Sequence, residues 1–304
     1  MSKVKVSDYY SLTENEIKQL DCLTEDLSLS DQLWYIAMLS SDKVKIFIYL
    51  DFETVFFVPY RSKFGVSYAY MPPFIQKLNF IGSKSGVTPI MNTLFKTLRF
   101  GEISVSERIN EDLRESCYFR ERRNYILKLN GVYDEIKRKY AKNHIRNCKK
   151  ASKIEVYKGS DFKGLISIFK SEKNTVFQKK QLDKIVSNLN KIEKCERIKE
   201  QILIYNAFEN GKLIASIFIV HYNEVLYYIL GASIKSEVSV SSLGLYRLFD
   251  FIIESHANQE LILDFEGSDH PGIARFFKGF GATDFEYYFI RWNKLPFPLK
   301  LFKN

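Results

Sequence analysis

The sequence predicts an α+β protein of two tandem domains, each a mixed, mostly antiparallel sheet flanked by helices. Three observations predict it. The chain has 304 residues, 46% of them apolar, which suits two cores at roughly 100–200 residues per domain. Short runs rich in β-branched and aromatic residues alternate with segments of helical period in both halves. Near Asn130-Gly131 the strand-like sequence gives way to a basic helical segment. We place the boundary there, giving domains 1–129 and 130–304.

In the first half, residues 15–26 and 30–39 read as helices, the second with Leu33, Ile36, Ala37 and Met38 as its apolar set. Residues 44–50 and 54–60 are strand-like, and the short connection 51–53 suits a hairpin. Pro59 ends the second strand at an edge or exit, because proline cannot donate to a ladder. Residues 66–70 are extended and stop at Met71-Pro72-Pro73. A helix follows over 89–99 with Pro89 in its first turn, then strands over 102–105 and 124–129.

In the second half, 133–151 reads as one long basic helix. A strand over 154–157 and helices over 162–173 and 181–193 follow. Asn210-Gly211 is a hairpin turn signal between strands 202–208 and 212–221. The second of these is apolar on both faces, as a central strand is. Strand 225–230 is its next antiparallel neighbour. The polar stretch 233–242 leads into a helix over 243–256. There Leu245, Leu248, Phe249, Ile252 and Ile253 repeat at i, i+3, i+4, i+7, i+8. A strand over 261–265, a short helix over 272–280 and a strand over 286–292 close the chain.

Composition excludes several classes. Aromatics are 15% of the chain against 14 Gly and 7 Pro, which rules out collagen-like and low-complexity sequence. No apolar run approaches the ~18–20 residues that span a bilayer, and the N-terminus lacks an apolar signal segment. Cys22, Cys117, Cys148 and Cys195 lie far apart with no CxxC pair, and His144, His221, His256 and His270 make no metal spacing. We therefore expect no metal and a cytoplasmic location, where scattered thiols stay reduced. Neither GxSxG nor a phosphate-binding P-loop occurs.

The net charge of +9 is local in origin. Segment 137–153 holds eight of the 45 bases and no acid, so the rest of the chain is close to neutral. That favours one anion-binding surface over a general polyanion coat. Lys142, Arg146 and Lys149 share a helix face at i, i+4, i+7.

From residue 133 onward the element order is helices, three antiparallel strands, helix, strand, helix, strand. This order resembles the GNAT acyltransferase superfamily. YAYMPPFIQKLNFIG (68–82), NYILKLNG (124–131), NHIRNCKKASK (143–153) and LDFEGSDHPGIARFFKGFGA (263–282) resemble the Fem-type group. Those enzymes are tandem GNAT-like folds that move amino acids from aminoacyl-tRNA to peptidoglycan precursors. The resemblance implies an acyl or aminoacyl transfer to an amine, with acyl-CoA or aminoacyl-tRNA as donor.

In the family, a splayed strand pairs with the donor's pantetheine arm, and amides at the next helix N-terminus hold its pyrophosphate. Here that implies Leu230 and Gly231 on the strand, then Ser239, Ser241, Ser242, Leu243, Gly244 and Leu245 at the helix start. Unpaired amides and a positive dipole suit an anion there. Ser239 stands for the family's Gln or Arg and Ser242 for its first Gly, and only Gly244 is kept. The other reading is a Ser-capped helix with Gly244 for packing. The family's acid, a Tyr in the last helix, is replaced by Arg275 or Phe277, depending on which following glycine aligns.

Asp264 and Glu266 are the candidate carboxylates. Residues two apart in a strand share a face, here at the carboxyl end where such sheets place ligands. Glu266 can accept a proton from an attacking amine, with His270 as acid–base helper. The alternative is structural, with Glu266-Gly267-Ser268-Asp269 as a turn that caps the helix after Pro271. In the Fem reading, Lys142, Arg146 and Lys149 face the tRNA acceptor end or an anionic lipid-linked acceptor. The alternative is a solvated face. Two functions fit these residues: an acyltransferase, or a non-catalytic protein of the same fold that binds a ligand, nucleic acid or membrane surface.

Overall fold

Runs of Val, Ile, Phe and Tyr form the strands, and the polar and glycine-bearing connections turn between them. The computed structural model describes residues 4–173, 176–234, 241–267, 269–297 and 300, with Ser241 and Ser242 described by their backbone alone. In chain order the first strands are β1 (Val4–Asp8), β2 (Val44–Tyr49), β3 (Thr54–Lys63), β4 (Val66–Ala69), β5 (Ile81–Gly82), β6 (Phe100–Val105) and β7 (Tyr118–Lys128). The later ones are β8 (Glu155–Gly159), β9 (Ile202–Glu209), β10 (Lys212–Tyr222), β11 (Val225–Ser233), β12 (Ile262–Asp264) and β13 (Thr283–Asn293). The helices are α1 (Glu14–Thr24), α2 (Leu33–Ser40), α3 (Val87–Thr97), α4 (Glu111–Arg114) and α5 (Tyr133–Arg138). After them come α6 (Lys142–Lys150), α7 (Phe162–Lys173), α8 (Lys179–Glu193), α9 (Ser241–Ser255) and α10 (Pro271–Gly279). The chain is the mixed, mostly antiparallel α+β protein that the sequence predicts.

Contacts divide it into two units, Met1–Arg122 with Glu286–Asn304, and Arg123–Phe285. The last strand, which the sequence analysis grouped with the second half, thus contributes most of its length to the first unit. Its anchor is Trp292, buried against Phe95 at 5.0 Å between ring centroids, with its indole N–H donating to Leu98 O at 2.6 Å.

The first unit orders its strands β1-β2-β3-β4-β6-β13, with β5 added on β3. β3 does not end at Pro59. It pairs with β2 up to Val44↔Pro59, then with β4 from Tyr60↔Ala69. The proline falls where the strand changes partner, so its missing N–H costs no ladder bond. The Tyr60 N–H goes to Lys43 O.

The second unit orders its strands β7-β12-β11-β10-β9-β8. β9 and β10 are the hairpin that Asn210-Gly211 announces, and both turn residues have positive φ (51° and 73°). β10 and β11 are antiparallel neighbours, as expected. α9 lays Leu248, Phe249, Ile252 and Ile253, all fully buried, on this sheet.

The long basic helix is two helices. After α5 the chain breaks at Lys139–Ala141, where the Ala141 N–H is taken by Gly279 O. There Tyr140 buries its ring edge-on to Phe280 at 5.2 Å. These tertiary contacts outweigh helix propensity at the break. α6 then turns His144 and Cys148 inward. His144 Nε2–H donates to Phe276 O at 2.9 Å, and burial pushes its pKa below the ordinary value. Lys137, one of the eight bases, is spent internally. It lies 3.4 Å from the carboxylate of buried Asp250, which also accepts from the Tyr133 hydroxyl at 2.8 Å.

Candidate functional site

The second unit contains an opening at the end of its one parallel pair. β11 and β12 are paired only over Val225↔Ile262, Leu226↔Leu263 and Tyr227↔Asp264. Beyond Tyr227, β11 continues to Ser233 while β12 stops. Among the described residues, no strand pairs with the remainder of β11 on that side. A bulge accompanies the separation. Phe218 faces Leu230 and Ile219 faces Tyr228, so Ile229 is the extra residue. Bulges bend a strand and re-aim its side chains, and they are frequent beside active sites. Backbone amides and carbonyls that no described strand takes up can bind the polar arm of a ligand as an added strand.

The floor of the opening is aromatic. Phe265 stacks on Phe277 at 4.5 Å, and Tyr228 lies 5.9 Å from Phe277 and 5.1 Å from Phe249. Gly231 is needed bare here, because a Cβ would collide with the Tyr228 hydroxyl. Burial pushes the Tyr228 pKa well up, so its proton stays on at neutral pH. No sequence motif singles out Tyr228. Position 277, where one alignment would place the family's acid, is a buried Phe, and Tyr228 brings a phenol beside it from another element.

The expected donor residues separate. Leu230 and Gly231 lie on the open part of β11. α9 begins at Ser241, the helix start expected from sequence. Ser239 lies outside the described residues. Leu243 and Leu245 pack against the core. Gly244 is buried, and a Cβ on it would come 2.7 Å from that of Ala215. Its bareness therefore sets close approach of α9 to β10.

The carboxylates also separate. Asp264 ends β12, accepts from Asn124 Nδ2 at 3.2 Å, and accepts from the Glu266 backbone N–H at 2.8 Å. It holds the turn. Glu266 has φ +56° and Gly267 φ +66°. The strand alternation therefore ends before Glu266, and the two acids do not share a strand face. A left-handed Glu is uncommon, and such conformations cluster at functional sites. Glu266 is half-buried at the carboxyl end of β12. His270 is the exposed N-cap of α10, where its Nδ1 accepts from the Gly272 N–H at 3.2 Å.

The buried Cys148 thiol is held protonated. Burial pushes Cys148 up to about 12, and only the thiolate attacks. Among the described residues, no group of three or more His, Cys, Asp or Glu could hold a metal ion. Nor is any described helix long and apolar enough to cross a membrane.

On α6, Lys142, Arg146 and Lys149 are all exposed on the face opposite His144 and Cys148. Arg146 donates to Asn143 Oδ1 at 2.6 Å. Changing all three to Gln is expected to leave the melting temperature within about 2 °C, because exposed charges contribute little to stability. If the face carries tRNA, the same variant binds tRNA more weakly and with a flatter salt dependence. Filter binding across a salt series reads both, and unchanged affinity returns the face to solvent.

A second feature was not read from the sequence. The first unit has an open cleft of about 570 Å³. It is lined by the continuous run 68–71 at β4, by alternate residues Phe100, Glu102 and Ser104 on β6, and by Phe289 and Arg291 on β13. Arg122 lies 4.6 Å from the Phe289 ring centroid and donates to Ser104 Oγ at 3.4 Å. Arg291 lies 3.9 Å from the Glu102 carboxylate. Cations over aromatic rings suit an anionic ligand with a flat or apolar face. The two-residue spacing was visible, but which strands adjoin was not.

This strand order and opening belong to a fold that several solved structures share. Among solved structures, FemX matches with a TM-score of 0.64 at 11% identity, over 98% of this chain and 99% of that one. The C-terminal domain of a putative lysylphosphatidylglycerol synthetase from Agrobacterium fabrum matches at TM-score 0.58 and 8% identity, over 96% of both chains. L-PGS from Bacillus licheniformis matches at 0.54 and 9% identity, over 95% of both. No family model matches the chain, and no curated protein matches it in sequence.

Proposed function

We propose that this chain is an N-acyltransferase. It moves an acyl or aminoacyl group from acyl-CoA or an aminoacyl-tRNA to an amine acceptor. The observation that carries the reading is the opening between β11 and β12, with unpaired β11 backbone along one wall and a helix N-terminus following it in the chain. The donor arm pairs with Tyr228–Ser233, and its phosphate end is held by the first amides of α9, at Ser241, Ser242 and Leu243. The four unpaired cysteines support a cytoplasmic site of action.

The chemistry then runs through the second unit. The amine nitrogen bonds to the acyl carbon as the bond to sulfur or ribose oxygen breaks. Glu266 takes the amine proton. The Tyr228 hydroxyl hydrogen-bonds to the departing thiolate or alkoxide, which takes a proton from solvent to leave as thiol or alcohol, and backbone N–H groups of the open strand steady the oxyanion. Asp264 and His270 hold the turn and the helix start on either side of Glu266. Lys142, Arg146 and Lys149 serve a tRNA donor where that is the substrate.

A thermal-shift series with acetyl-CoA, longer acyl-CoAs and aminoacyl-tRNA tests the reading, since a ligand bound only by the native state raises its melting temperature. A shift of several degrees with one donor class, together with transfer to an added amine, supports it. Binding without transfer assigns the non-catalytic function instead.

A further inference from the structure

Residues 54–101 contain six bases, Arg61, Lys63, Lys77, Lys84, Lys96 and Arg99, and no Asp or Glu. Within this stretch β3 and β4 form a hairpin whose last pair is Lys63↔Val66. Its loop is therefore only Phe64-Gly65. Both have positive φ, +52° and +77°, as a two-residue type I′ loop requires, and that loop favours Asn-Gly or Asp-Gly. A bulky side chain at positive φ is a conformational outlier. Phe64 is nevertheless there, and 93% of it is exposed. Neither the turn nor the packing accounts for a phenylalanine at this position.

The surroundings point to its use. The Lys63 ammonium lies 5.3 Å from the Phe64 ring centroid, and the Arg61 guanidinium lies 4.0 Å from that of Tyr70. Ser62 and Ser67 are joined across the stem at 2.8 Å, so the tip stands on a braced hairpin. An apolar ring at the apex with cations behind it matches the layering of an anionic bilayer surface. The ring enters the headgroup–acyl boundary while ammonium and guanidinium groups meet lipid phosphates. We propose that the Phe64 hairpin docks this protein peripherally on anionic membranes. The charge selects this occupant: Arg61 and Lys63 stand directly behind the ring and complement a phosphate surface, whereas a purely apolar protein pocket makes no use of them.

Flotation of the full chain with vesicles tests the proposal, independently of any transferase activity. The vesicles are phosphatidylcholine alone, or phosphatidylcholine mixed with phosphatidylglycerol. The wild type is expected to float with the mixed vesicles, less so as salt rises. Phe64→Asn suits the turn better than Phe, so the variant folds, and its melting temperature checks this. It is expected to bind the mixed vesicles about tenfold more weakly, as is Lys63→Gln. Failure of the wild type to bind mixed vesicles, or equal binding by Phe64→Asn, overturns the proposal. So does a dimer in sedimentation velocity that Phe64→Asn dissolves, since the tip would then serve a second copy of this chain.

Discussion

Exchanging Glu266 for Gln is expected to lower turnover on the order of 10²–10⁴-fold, the usual contribution of a general base. Gln keeps the size and polarity of the side chain but cannot take a proton from the amine. Donor affinity should stay within about twofold, so kcat and kcat/KM fall together. The left-handed backbone at residue 266 is set by the Asp264 carboxylate on its N–H and by Gly267 beyond it, and neither changes in the variant. Steady-state kinetics with the donor found by thermal shift provide the check. Tyr228→Phe is the companion variant. It loses only the hydroxyl and is expected to cost on the order of 10²-fold, the usual effect of removing one hydrogen-bond donor to developing charge. Full activity in Glu266→Gln removes the base and leaves the turn as a structural element.

The largest effect on stability is expected from Phe249→Ala. Phe249 is fully buried at the centre of the second unit's core. Its ring lies 5.3 Å from Phe265, 5.1 Å from Tyr228 and 5.5 Å from Phe280. Truncation removes apolar contact and leaves a cavity that rigid aromatic neighbours cannot close, at about 3–5 kcal/mol. The loss should appear as a lower denaturation midpoint with an unchanged slope. Ligand affinity should fall as well, because Phe249 supports the rings that floor the opening. A loss below about 1 kcal/mol would mean that the cluster is loosely packed.

Much of this fold is legible in the chain because local chemistry decides it. α7 occupies the residues that its period gives, Phe162–Lys173. The β9–β10–β11 meander follows from Asn210-Gly211 and from the apolar run of β10. What could not be read depends on partners distant in sequence. The break before α6 is made by Gly279 accepting from the Ala141 N–H. The placement of β13 is made by Trp292 against Phe95 and Leu98. Pro59 looked like a strand end because its neighbours on both sides were unknown.

The site divides in the same way. The position where α9 starts was legible in the sequence, but the strand alternation assumed through Glu266 does not survive its positive φ. Tyr228 is raised to importance by the Ile229 bulge and by bare Gly231, which exist only once β10 and β11 are paired. The first-unit cleft is likewise a product of strand adjacency.

The central claim is that a donor lies along the open length of β11, and amide hydrogen exchange reads this directly. Residues 228–233 should exchange quickly in the free protein on the side that faces away from β10, because among the described residues no strand protects them there. Saturating acyl-CoA or aminoacyl-tRNA should slow exchange in this segment and at the first amides of α9, with little change in β9. Slowed exchange at both places is the result this account predicts. A donor that leaves 228–233 unprotected while still binding, or a full donor panel that changes nothing there, would contradict it.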